Sequence, residues 1–204
     1  MSSVGEALRD TAIINLTGAV TMVVDDSAFS AEITSSALLG FGIRTRYSCR
    51  SAPDAMNILR ATEIDLLVVD CEMPGMDGYE MVHWLRRSGP PNAFLPVIMT
   101  AAHIRRSMVE KARNCGANYI ITKPFSAASL LERIVWVARD TRPFIEVGEY
   151  FGPDRRFRDG EAPGDERRAD VLRRAGAGPR NTAAVMAAVD AATAPAAGAA
   201  GVDL

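Results

Sequence analysis

Five short strand-like runs, most of them apolar and each followed by an amphipathic stretch, occupy residues 20–141 and restrict this part of the chain to a layered α/β architecture. The strongest run, Ile64-Asp65-Leu66-Leu67-Val68-Val69, stops at Asp70, and the first, Val20-Thr21-Met22-Val23-Val24, stops at Asp25-Asp26. Pro96 to Thr100 and Tyr119 to Thr122 are further strands, and Ile43 to Cys49, which carries two arginines, is a weaker one. Runs this apolar read as strands covered on both faces. Between them, Ser27 caps a helix that reaches Leu38 or Leu39, and further helices are expected over Ser51–Thr62, Asp77–Ser88 and Arg105–Cys115. Ser126 caps a last helix with Leu130, Ile134, Val135 and Ala138 on one face. The expected fold is a doubly wound, five-stranded parallel sheet with five helices and right-handed crossovers.

In such sheets, ligands bind beyond the carboxyl ends of the strands. Those ends carry Asp25 and Asp26, Asp70, Thr100 and Lys123, so three carboxylates, a hydroxyl and an ammonium converge on one rim. Clustered carboxylates repel unless a cation offsets them, and hard oxygen ligands select magnesium, calcium or manganese over zinc. Magnesium needs only one or two carboxylates beside phosphate oxygens, which leaves one carboxylate to act as nucleophile. A threonine and a lysine close by supply what a transferring phosphoryl group requires. The chain has only two lysines, Lys111 and Lys123, against 21 arginines, so a lysine at this rim suggests that a compact ammonium is needed there.

The motifs Val-Val-Asp25-Asp26-Ser27, Val-Val-Asp70-Cys-Glu-Met-Pro-Gly-Met-Asp-Gly78, Ile-Met-Thr100-Ala101 and Ile-Thr-Lys123-Pro124-Phe125 resemble the receiver domain of bacterial two-component response regulators. The resemblance covers about 120 residues in family order and implies a flavodoxin-like receiver fold. It also implies that Asp70 accepts a phosphoryl group from a phosphohistidine on a histidine kinase or histidine phosphotransfer protein. Asp25, Asp26, Asp70 and the backbone carbonyl of Glu72 would hold Mg2+, Asp25 through water. Thr100 would be the switch hydroxyl, Lys123 would contact the phosphoryl group, and the Lys123-Pro124 bond would be cis. Such a chain is a signalling switch, a phosphoprotein in a phosphorelay, rather than an enzyme. Where the family usually places an aromatic switch residue, three before the lysine, this chain has Ile120, and Tyr119 should face the other side of the strand. Glu72 and Ala102 are expected to tune the lifetime of the phosphoryl group.

An alternative is a phosphohydrolase that also forms an aspartyl phosphate, as in the haloacid dehalogenase class. That class wants Asp-x-Asp on the first strand, whereas Asp70-Cys71-Glu72 lies on the third. Another is a regulator whose tail binds nucleic acid. Residues 142–204 hold nine arginines against ten acids, and the whole chain 23 basic against 25 acidic groups, which argues against it. No stretch approaches the roughly 18 consecutive apolar residues of a membrane span, and a cytoplasmic location is expected. Three cysteines without paired spacing read as reduced thiols. The Arg86-Arg87 and Arg105-Arg106 pairs read as solvated faces.

The expected organisation is a leader over 1–19, the receiver over 20–141 and a disordered tail over 142–204. Within the tail, Tyr150-Phe151-Gly152-Pro153-Asp154-Arg155-Arg156-Phe157 looks like a short recognition element, echoed by Gly164-Asp165-Glu166-Arg167-Arg168. Eleven of the twenty residues from Thr182 to Gly201 are alanine. The stretch Thr182 to Thr193 aligns Val185 and Val189 at helical spacing, yet a helix this short is marginal alone in water.

Overall fold

The computed structural model describes residues 16–155 other than 90 and 141. The five expected strands are β1 (Val20–Val24), β2 (Thr45–Cys49), β3 (Leu66–Asp70), β4 (Val97–Ala101) and β5 (Tyr119–Thr122). They pair in parallel in the order β2-β1-β3-β4-β5, with the reversal of strand order at β1 and β3. Every residue of the central strands β3 and β4 is buried, as their β-branched and aliphatic sequences require.

Helices α1 (Ala28–Gly40), α2 (Ala52–Ala61), α3 (Gly78–Arg87), α4 (Arg106–Cys115) and α5 (Ala127–Ala138) connect and follow the strands. Ser27, Ser51 and Ser126 cap α1, α2 and α5 through their hydroxyls. Asp77 and Glu80 close a capping box at the start of α3. Two apolar clusters, one on each face of the sheet, form the core: Leu59, Leu67, Met81, Leu85 and Met99 belong to one, and Leu38, Val68, Ile98, Leu130 and Ile134 to the other. The cysteines Cys49, Cys71 and Cys115 are buried free thiols, as the sequence reading expects.

Packed structure extends past both expected boundaries. Leu16 and Ala19, in the expected leader, are buried against the second cluster. At the other end, residues 144–153 are not disordered but form an antiparallel hairpin of β6 (Phe144–Val147) and β7 (Tyr150–Pro153). Gly148, at φ +60, opens its two-residue loop, the position where a type II′ turn needs glycine. The aromatic residues supply the apolar payload: Phe144 and Phe151 each stack on Phe94, at 5.2 and 5.3 Å between ring centres. Gly152 lies so close to Gly116 that a Cβ on it would sit 2.8 Å from the Gly116 Cα. The Tyr150 hydroxyl donates to the Pro153 carbonyl at 2.6 Å, and the Arg155 guanidinium stacks on the Tyr150 ring. The element read as a recognition motif for a partner is thus an intramolecular clasp up to Arg155. Its continuation, the Gly164–Arg168 echo, the Thr182–Thr193 stretch and the remaining tail lie outside the described residues.

Arg86 corrects a second expectation. It is 3% exposed, not solvated, because it follows Met81, Val82 and Leu85 on the buried arc of α3. Its guanidinium donates to the carbonyls of Gly116 at 2.9 Å, Ala93 at 2.9 Å and Leu95 at 2.7 Å, and to Asn118 Oδ1 at 3.2 Å. It also lies 5.1 Å from the centre of the Phe144 ring. One side chain thereby joins α3, the turn before β4, the end of α4 and the hairpin. Burial holds its pKa down at about 10.

Candidate functional site

The carboxyl ends of β1, β3, β4 and β5 bring Asp25, Asp26, Asp70, Thr100 and Lys123 to one rim. Main-chain bonds extend the sheet into this rim: Asp25 donates to Cys49, Cys71 to Thr100 and Lys123 to Ala101, at 3.1, 2.8 and 2.7 Å. Asp70 and Thr100 are register partners on adjacent strands. Gly78 starts α3 directly against the end of β3; a Cβ there would lie 2.0 Å from the Asp70 carbonyl oxygen, so the motif position admits only glycine. Pro74 and Gly75, the latter at φ +80, form the turn between them.

Asp25, Asp26 and Asp70 each offer a carboxylate oxygen within 4.8 Å of the others. Lys123 Nζ bridges two of the three, at 2.7 Å from Asp25 Oδ2 and 2.8 Å from Asp70 Oδ1. Thr100 Oγ1 lies 3.4 Å from the same Asp70 oxygen. Asp25 is further fixed by the Ser27 amide at 3.0 Å and the Ser30 hydroxyl at 2.6 Å. Arg50 donates twice to the Asp26 carbonyl, at 3.2 and 3.0 Å, leaving the Asp26 carboxylate half-buried at the mouth. Ser30 and Arg50 were absent from the sequence-based set. A serine on the first turn of a helix and an arginine in a loop carry no local signature of this role.

Burial raises the Asp70 pKa, and the Lys123 ammonium only partly offsets that rise. Burial alone would push the Lys123 pKa down, but the Asp25 and Asp70 carboxylates together hold it above its ordinary value. The three carboxylates therefore carry one compensating ammonium between them, and their hard oxygen donors suit a divalent cation such as Mg2+. Asp70 is buried, with 8% of its surface exposed.

Glu72 sits exposed in the turn after Asp70, and Ala102 is exposed after β4. Ile120 packs with Ile104 against the cluster on one face of the sheet, while Tyr119 packs on the opposite cluster and meets Trp136 edge-on at 5.3 Å. The two residues thus point to opposite sides of β5, as the strand period predicts. The Lys123-Pro124 bond is cis. Among the described residues, no helix is long and apolar enough to cross a membrane.

The family model of the response regulator receiver domain matches residues 21–135, more than half of the chain. The chain is 30% identical over 113 residues to the chemotaxis protein CheY-3 of Vibrio cholerae, a match covering 55% of this chain and 86% of that protein. It resembles the signal receiver domain of a signal transduction histidine kinase from Syntrophus aciditrophicus, with a TM-score of 0.54 and 29% identity over 59% of this chain and 89% of that one. The V. cholerae chemotaxis protein CheY4 shares the fold, with a TM-score of 0.56 at 24% identity, over 58% of this chain and 98% of that one. The chain belongs to the response regulator receiver domain family.

Proposed function

We propose that Asp70 is the phosphoryl acceptor of this receiver and that its partner is a histidine kinase or a histidine phosphotransfer protein. The observation that carries this reading is the shared ammonium: Lys123 holds Asp70 at 2.8 Å and Asp25 at 2.7 Å, at the end of the sheet where family motifs and geometry coincide. In the reaction, a carboxylate oxygen of Asp70 forms an O–P bond as the P–N bond of the phosphohistidine breaks. The imidazole nitrogen leaves with the bonding pair. Asp25, Asp26, Asp70 and the Glu72 carbonyl would hold Mg2+, which supplies charge neutralisation for the phosphoryl oxygens. Lys123 then exchanges its contact with the carboxylate for one with a phosphoryl oxygen, and Thr100 is placed to donate to another.

The output is altered protein binding, not turnover of a substrate, and the workplace is the cytoplasm, where such kinases present their phosphohistidine. Phe29 and Ile33, one turn apart on α1 beside the site, are 76% and 48% exposed and offer an apolar landing for the donor protein. The test is phosphotransfer from a panel of phosphorylated histidine kinases to the wild type and to Asp70→Asn. Label on the wild type and none on the variant is expected. Equal labelling of both would overturn the assignment.

A further inference from the structure

A groove of about 700 Å3 runs between α3 and α4. Tyr79, Trp84 and Cys115 give it an apolar floor; Arg87 and Lys111 stand on its edges with His83 and one acid, Glu80, so the charged rim is mixed with a cationic excess. Lys111 lies 5.7 Å from the centre of the Tyr79 ring, and Arg60 lies 5.4 Å from that of Trp84, so cations flank both aromatic residues. Trp84 is half-buried and packs against the core.

The chain departs from the clasp at the lip of this groove. Arg113 of α4 donates to the Arg155 carbonyl at 3.1 Å, and the Arg155 guanidinium bonds Asn114, itself a lining residue. Whatever follows Arg155 is therefore tethered beside the groove. Residues 156–180 carry seven arginines against five acids, the same sign as the rim. From 181 to 194 the character inverts: Asp190 is the one charge, and Val185, Met186 and Val189 fall on one helical face. A helix this short needs an apolar partner to persist. A random chain of the intervening length would span roughly 30 Å end to end, a separation that keeps the segment within reach of the groove.

We propose that residues 181–194 dock in the α3–α4 groove of the same chain, with Val185, Met186 and Val189 against Trp84 and Tyr79, and with Asp190 facing Lys111 or Arg87. The apolar floor, the cationic excess of Arg87 and Lys111 over Glu80, the tether point and the single acid of the segment all match. The proposal does not rest on the phosphoacceptor assignment, and its test involves no phosphorylation.

The chain has two tryptophans, so Trp136→Phe in the full chain leaves Trp84 as the sole emitter. Acrylamide quenching of Trp84 should then be weak. Adding Val185→Asp and Val189→Asp is expected to raise the quenching constant about twofold, because the indole regains solvent contact. The rise should be independent of protein concentration, and Lys111→Glu should produce a rise in the same direction. Unchanged quenching in both variants would overturn the proposal. So would a rise that appears only in concentrated protein, which would assign the groove to a second copy.

Discussion

Thr100 stands beside Asp70 in the parallel register of β4 and β3, with its hydroxyl 3.4 Å from the Asp70 carboxylate. That separation is too long for a strong hydrogen bond and leaves the hydroxyl free to serve a group added to Asp70. Thr100→Ala should therefore slow phosphoryl acceptance roughly tenfold, the worth of one hydrogen bond to a charged group. Thr100→Ser should retain most of the rate. Stopped-flow transfer from a small phosphoramidate donor separates the two, and equal rates for Ala and wild type would remove Thr100 from the site.

Lys123 is the one ammonium shared by Asp25 and Asp70. Its replacement by alanine leaves the carboxylates facing each other, which should cost about 2 kcal/mol without divalent cations. Magnesium should bind the variant more tightly than the wild type, since a positive charge beside the ligands has gone, and should restore much of the lost stability. Melting curves in chelator and in magnesium, with calorimetric titration, check both halves. A variant as stable as wild type in chelator would contradict the electrostatic picture.

The hairpin depends on the Gly152–Gly116 contact and on Arg86. Gly152→Ala should unseat β7 from the end of α4, since its Cβ would meet Gly116 Cα and the Tyr150 hydroxyl, each at 2.8 Å. A loss of about 1–3 kcal/mol is expected, with faster amide exchange confined to residues 144–153. Arg86→Met should be worse, about 3 kcal/mol or more, because it strands several buried carbonyls at once. Urea unfolding at constant slope reads both.

Burial pushes the Cys115 thiol up to about 11 from an ordinary value of 9.0. Between those values the unfolded chain has released a proton that the folded chain still holds, so stability falls as pH rises. From pH 9 to 10 this one thiol should cost about 1 kcal/mol, and the loss should be absent in Cys115→Ala. Denaturation of both proteins at the two pH values measures the difference. An identical pH slope would show that the thiol ionises as freely in the folded chain.

Much of this was legible in the sequence because each local signal agreed with the others. The strands end at the polar groups that meet on one rim, the serine caps stand where the helices begin, and β5 places Tyr119 and Ile120 on opposite sides as its period demands. Arg86 was misread because a pair of arginines looks solvated, although its spacing from Val82 already put it on the inner arc of α3. The hairpin was missed for a different reason. Its two strands are four residues each, and their stability comes from Phe94, Gly116 and Arg86, which lie far away in sequence. Ser30 and Arg50 reach the site through the folded backbone alone.

The most direct measurement is to incubate the full chain with phosphoramidate and magnesium, then locate the added group by mass spectrometry of peptides. A phosphoryl group on Asp70 that is released by hydroxylamine, and is missing from Asp70→Asn, is the predicted result. A stable modification on a serine or threonine, or undiminished labelling of Asp70→Asn, would contradict it.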